Sequence, residues 1–254
     1  MAMNEPFVVV WDIETQDMIK NMPGNDRNEQ IMNLEVSCLS FLKLPSCALL
    51  ACPSEAQRAV ETATMVTLWR DEDEDRVGPF AELMSAFDDA ELIISYNGLA
   101  FDHPVLFKHC AKTRREAHLF KVHDVFSRLR ECTTVWFKLD DLLKANALET
   151  KTANGLQAIE WWAQQERDLL KEYCECDVRA LARLVCLPVI HLPKLHTTAP
   201  NYVFGVTSAL AARRASERLR LLAVKTPEDT ENETSSPAAA APSKTLECDD
   251  STAT

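Results

Sequence analysis

Phe7-Val8-Val9-Val10-Trp11 runs directly into Asp12-Ile13-Glu14-Thr15. An unbroken run of β-formers reads as a strand buried on both faces, in the middle of a sheet. After a polar loop from Gln16 to Glu29 that carries Pro23-Gly24, Leu34 to Leu44 alternates as a second strand. Met65 to Trp69 reads as a third, and the acidic run Asp71–Asp75 turns away from it. Val77 to Asp88 has helical spacing, and Glu91 to Tyr96 is another short buried strand. Through Asn97-Gly98 it leads into a helical stretch ending near Lys112, and Leu119 to Val122 reads as one more strand. Beyond it the spacing is helical over about 124–131, 139–147, 156–165 and 167–187. Strands first, then strand–helix alternation, then helices predict an α/β domain around one mixed sheet flanked by helices.

The C-terminal quarter reads differently. Pro188 to Pro200 is a proline-punctuated connection, and Thr207 to about Ala223 is a helix carrying Arg213, Arg214, Arg218 and Arg220. From Lys225 on, Glu, Thr, Ser, Pro and Ala dominate, a composition that cannot bury a core and is expected to be disordered. The expected organisation is a domain over 1–190, an extension with a basic helix over 191–224, and an acidic tail over 225–254.

Of the 254 residues, 46% are hydrophobic and 26% charged, which excludes a wholly disordered chain. The formal net charge is −12. Seven acids against Lys225 and Lys244 lie in the tail, and the preceding residues remain acidic. Such a chain does not coat duplex DNA by bulk charge. The nine cysteines lack the paired doublets of a zinc clip, Cys174-x-Cys176 being the nearest approach. No basic segment followed by an apolar run marks a signal peptide, and no apolar stretch reaches the ~20 residues of a membrane span. Reduced thiols in an intracellular compartment, cytoplasmic or nuclear, and no membrane partner are expected.

Three acidic settings stand out. Asp12 and Glu14, two apart on a strand, share one face. Like charges that close are costly unless a cation sits between them, and a hard divalent ion prefers carboxylate oxygens. A solvated turn is the plain alternative. Asp102 follows the strand ending at Tyr96 through Asn97-Gly98-Leu99-Ala100-Phe101, where Asp102 or His103 also suits a helix cap before Pro104. Tyr173 and Asp177, four apart, share one helical face, which suits either one metal with its water or a packed tyrosine beside a surface aspartate.

In this order the residues resemble the three motifs of the DEDD 3′–5′ exonucleases, which have the ribonuclease H-like fold. Asp12-Ile13-Glu14 matches the first motif, Asn97 with Phe101-Asp102 the second, and Tyr173-Cys174-Glu175-Cys176-Asp177 the third in its tyrosine form. The histidine form would want His where Glu172 stands. The wording Tyr96-Asn97-Gly98…Phe101-Asp102 is similar to the proofreading domain of family B DNA polymerases, and the resemblance spans about residues 6–187.

The resemblance implies a metal-dependent 3′–5′ exonuclease acting on the 3′ end of single-stranded or frayed nucleic acid, DNA or RNA. It would stand alone or serve a polymerase or repair protein in trans. Two ions, Mg²⁺ or Mn²⁺, are implied. Asp12, Glu14 and Asp177 would hold the first; Asp12 and Asp102 would serve the second, and Tyr173 would orient the water. Asn97 would contact the terminal nucleotide or merely close its turn. Phe101, with Leu99, would wedge against the terminal base or be core. Trp161 and Trp162, adjacent on a helix, cannot both face outward, and at least one packs in the core. His103, His109, His118 and His123 lack metal-ligand spacing and read as structural or surface residues. The arginine helix either tracks phosphates or is a solvated face. The alternatives are a non-catalytic ribonuclease H-like module that binds nucleic acid or protein, and a metal-dependent endonuclease of the same superfold.

Overall fold

The computed structural model describes residues 5–50, 52–72, 80–108, 110–150, 153–195, 197–200 and 206–224. The acidic tail, His109 and most of the run from Asp71 to Asp75 lie outside these residues. Two compact units are distinguished, Met1–Arg213 and Arg214–Thr254; of the second, the described part is the end of one helix.

In chain order the elements are β1 (Phe7–Thr15), α1 (Arg27–Met32), β2 (Val36–Pro45), α2 (Ser46–Leu50), α3 (Pro53–Thr62), β3 (Met65–Trp69), α4 (Ala81–Asp89) and β4 (Leu92–Ser95). They continue as α5 (Asp102–Phe107), α6 (Lys112–Leu119), β5 (Val122–Asp124), α7 (Val125–Thr133), α8 (Leu139–Ala145), α9 (Gly155–Ala163) and α10 (Arg167–Val185). β6 (Val189–Leu192), β7 (Thr197–Pro200) and α11 (Val206–Val224) complete the described chain.

Five strands form a mixed sheet in the order β3-β2-β1-β4-β5. β1 lies at its centre, antiparallel to β2 and parallel to β4, so the apolar run Phe7–Trp11 is the middle strand it reads as. Alternation then divides its side chains. Val8 and Val10 join a core with Leu42, Ile94, Val178, Leu181 and Leu184, under α10. Val9, Trp11 and Ile13 join an opposite core with Ile31, Phe41, Leu83, Phe87 and Val105, under α1, α4 and α5. Asp12 and Glu14 continue the even-numbered row, on the side covered by α10.

The chain departs from its sequence reading in four places. The helical stretch expected to end near Lys112 ends at Phe107, and Lys112 opens α6, which was not read as a helix. β5 begins at Val122, not Leu119: Leu119 ends α6, and Phe120 is 87% exposed, so these apolar residues mark a surface turn. The proline-punctuated stretch forms an antiparallel ribbon, β6 with β7, and Ile190 and Leu192 enter the main core. Residues 46–62 supply α2 and α3, which carry Leu49, Ala56 and Val60 into the same core. Among the described residues no helix is long and apolar enough to cross a membrane.

His103, His118 and His123 are all buried, which suits their reading as structural residues. The His103 ring packs between Trp11 and Phe107, and burial holds its pKa down at about 3. Burial also lowers His118, against an opposing hydrogen bond of 2.6 Å to Asp88. A histidine kept neutral in the fold is protonated first in the unfolded chain. Below the unfolded value near 6.5 the unfolded state therefore binds more protons, and stability is lost as pH falls. Unfolding free energy from denaturant titrations should drop between pH 7 and 5, with a limiting slope of ~1.4 kcal/mol per pH unit for each such group. His118→Asn should flatten the curve; identical curves for the two proteins would refute this account.

Candidate active site

β1 delivers its two acids where the apolar run ends. Glu14 is 9% exposed and Asp12 half-buried. Their carboxylate oxygens and the Cys174 sulfur all lie within 4.8 Å of one another. Cys174 comes from α10, which packs across β1 and β2. Its Sγ approaches the Asp12 main-chain carbonyl at 3.7 Å. Cys38, paired with Glu14 in the β1–β2 register, stands beside it. Burial raises the Cys174 thiol well above its ordinary value; the Cys38 hydrogen bond and the charges of Asp12 and Glu14 add to the effect. The thiol therefore stays protonated at neutral pH and acts as a neutral packing neighbour to the two carboxylates.

Such a donor set fits a hard divalent cation. Two carboxylates from one strand face converge, and oxygen ligands are what such a cation prefers. Asp102 and Asp177 are not members of this close group. Both are nonetheless buried, at 5% and 3% exposure, which is unusual for aspartates. Asp177 follows Cys174 by three residues, ~4.5 Å along the same side of α10. Tyr173, also buried, meets Trp161 edge-to-face at 6.0 Å, while Trp162 stacks on Trp69 at 6.4 Å. Both tryptophans are thus half-buried against other aromatics.

Asp102 is the first residue of α5, and Phe101, in the cap position, makes no side-chain cap bond. Asp102 thus stands one residue inside the cap position. What orients this segment is a turn after β4. Asn97 takes a left-handed conformation (φ 63°), and its carbonyl accepts from the Ala100 amide at 3.2 Å, so Asn97 does close the turn. Asp124, at the end of β5, clamps it by accepting from the amides of Asn97 (3.1 Å), Leu99 (2.8 Å) and Ser127 (3.0 Å). Sequence reading placed Asp124 inside the 124–131 helical spacing and gave it no role; the structure puts it one residue before α7, at the N-cap, and the signal available was an acid at the head of that spacing.

Gly98 sits where no side chain fits. A Cβ there would lie 2.3 Å from Ser95 Oγ, 2.6 Å from Ser95 Cβ and 3.4 Å from Asp102 Oδ2. Ser95 is on the buried strand β4 and has nowhere to move. Gly98→Ala should cost about 1–3 kcal/mol by overpacking and displace the turn that carries Asp102. A thermal melt and a hydrolysis assay should both register the change; an unchanged melt would show that the turn gives way freely.

The two acids border different cavities. Glu14 lines one of about 460 Å³ with Phe101, Met18, Leu156 and Ile159. Asp12 lines another, of about 490 Å³, with Asn97, Tyr96, Trp136 and Lys138. Asp177 lines a cavity with Cys176, Arg179 and Arg183. Arg213 and Arg214 lie on α11 as read; the side chains of Arg218 and Arg220 are outside the described set.

The sheet order, the layers of helices and the acidic pair at the end of the central strand define an α/β fold of the ribonuclease H-like class. A model of the RNase H superfamily matches residues 48–187, more than half of the chain, and the protein belongs to that superfamily. The matched segment contains Asn97, Phe101, Asp102, Tyr173 and Asp177, and begins after Asp12 and Glu14. Membership supports a nuclease-type function, and nucleases of this kind typically use divalent metals. Among solved structures, the family B DNA polymerase from the hyperthermophilic archaeon Pyrobaculum calidifontis aligns at 16% identity with a TM-score of 0.45. The alignment covers 71% of this chain and 24% of that one, so the chain spans about a quarter of the polymerase's length. No curated protein matches the sequence.

Proposed function

We propose that the protein is a metal-dependent 3′–5′ exonuclease acting on single-stranded or frayed nucleic acid. The observation that carries this reading is the convergence of Asp12 and Glu14 at the end of the central strand of an RNase H superfamily sheet. Asp12, Glu14 and Asp177 would hold one Mg²⁺ or Mn²⁺ ion; Asp12 and Asp102 would serve a second. Bound ions would lower the pKa of the attacking water and offset charge on the departing 3′ oxygen. The remaining roles fall to the chain itself. Tyr173, whose hydroxyl both donates and accepts, would orient the water by hydrogen bonding. Phe101 would flank the terminal base from the apolar cavity beside Glu14. Asn97, besides closing its turn, lines the cavity beside Asp12 and would contact the terminal nucleotide from there. A partner polymerase or repair protein in trans fits the same reading.

Digestion of an end-labelled strand, with a free or a blocked 3′ end, tests the proposal in Mg²⁺, Mn²⁺ and EDTA. A ladder growing from the free 3′ end and stopped by EDTA is the expected result. Cleavage of the blocked strand would replace it with an endonuclease, and binding without cleavage in either metal would leave a non-catalytic module. Matched DNA and RNA strands in the same assay identify the sugar.

A further inference from the structure

The cavity beside Asp12 differs in kind from the one beside Glu14. Among the described residues, the lining of the Glu14 cavity holds Glu14 and Asp17 and no lysine or arginine. The Asp12 cavity is lined by Lys138 and Lys194 together with Tyr96, Phe126 and Trp136. These residues come from β4 and its turn, α7, the segment before α8, and the β6–β7 turn. In a chain of net charge −12 such a gathering of cations is notable.

Its aromatics form a braced platform. Tyr96 donates to the Phe137 carbonyl at 2.8 Å and meets Phe126 edge-on at 5.8 Å. Phe126 in turn meets Trp136 at 5.2 Å and a steep angle. The Arg130 guanidinium lies 4.5 Å from the centre of the Trp136 ring. Lys194 donates to the Trp136 carbonyl and so holds its ammonium at the same rim. Even so braced, the Trp136 side of the platform is open: the residue is 58% exposed. The exposed indole thus stands beside the Arg130 guanidinium and the Lys194 ammonium. Aromatic faces beside lysines are what a single strand uses: bases stack on the rings and phosphates meet the ammonium groups. The volume, about 490 Å³, lies in the range of small-molecule sites and suits a nucleotide.

We infer that this cavity is a binding subsite for the single-stranded nucleic acid leading to the scissile phosphate. One base stacks on Trp136, and the neighbouring phosphates lie on Lys138 and Lys194. The subsite deepens the nuclease reading and rests on it for the direction of the strand; affinity for the strand does not depend on cleavage.

Binding of a fluorescent single-stranded 10-mer, measured by anisotropy in EDTA and in Ca²⁺, separates the two. Trp136→Ala should weaken binding on the order of tenfold, and Trp136→Phe should keep most of it. Lys138→Glu with Lys194→Glu should weaken it further and lower the slope of log affinity against log salt by about 1.4, at ~0.7 per phosphate contact. Lys112→Glu, outside the cavity lining, should bind as the parent does. A strand carrying 5-iodouracil near its 3′ end should photo-crosslink to Trp136. A parent protein that binds no strand in either buffer overturns the inference, as do Trp136→Ala and double-lysine variants of parental affinity. Binding that is lost in these variants, from a parent that cleaves nothing in Mg²⁺, keeps the subsite and removes the nuclease. Cleavage with parental affinity in every variant does the reverse.

Discussion

Asp12→Ala should abolish hydrolysis and leave the fold intact. Asp12 is in the central strand, and its carboxylate lies within 4.8 Å of both Glu14 and the Cys174 sulfur. In the proposed function it is the one ligand common to both ions, so its removal affects both at once. Loss of metal-supplied charge stabilisation is worth several kcal/mol, and ~4 kcal/mol corresponds to a rate reduction of ~10³-fold. The effect on stability has the opposite tendency. Truncation removes one of two adjacent negative charges, and the even-numbered core row of Val8 and Val10 is untouched. A melting temperature equal to or slightly above that of the parent is therefore expected. Titration with Mn²⁺, followed by calorimetry or electron paramagnetic resonance, should show weakened or lost binding and gives a readout independent of turnover. A variant that degrades a single strand at the parental rate in Mg²⁺ would remove Asp12 from the chemistry.

The features legible in the sequence were those written within one element. The run Phe7–Trp11 identified a central strand because only burial on both faces tolerates five such residues in a row. Alternation then placed Asp12 and Glu14 on one face without any tertiary information. Helical spacing likewise placed Tyr173 and Asp177 on one side of α10, and both are buried there. Features assembled from separate elements were not legible. Cys174 joins the acids only because α10 crosses β1, a packing relation no spacing encodes. The cavity beside Asp12 draws on Lys138 and Lys194, with Arg130 over the Trp136 ring, and these residues are scattered along the chain, whereas Arg213 to Arg220 are conspicuous in sequence because they share one helix. α2 was missed because five residues, Ser46–Leu50, are too few to show a helical period; α3 was legible but not read, since Pro53 opens its first turn and Ala56 and Val60 share its buried face. β5 was displaced by three residues because Leu119 and Phe120 are apolar yet exposed.

Asp124 links fold to site most directly, and Asp124→Ala is expected to damage both. The residue is 2% exposed and accepts three main-chain hydrogen bonds, two of them from the turn after β4 and one from the first turn of α7. Alanine leaves the Asn97, Leu99 and Ser127 amides without that acceptor. A buried donor left unsatisfied costs about 1–3 kcal/mol, and a lost N-cap typically ~1 kcal/mol. Water can replace the acceptor for Leu99, which is 43% exposed, so the sum should be about 3 kcal/mol. For a domain of this size that lowers the melting temperature by ~6–12 °C. Function suffers through geometry: Asn97 holds φ 63° only while the turn is clamped, and Gly98, in the same turn, places Asp102. Asp124→Asn should fall between parent and alanine, since one oxygen still accepts while the amide nitrogen faces a donor. Melting and hydrolysis should decline in that order, parent, asparagine, alanine. An alanine variant melting within ~2 °C of the parent would show that the turn stands without its clamp.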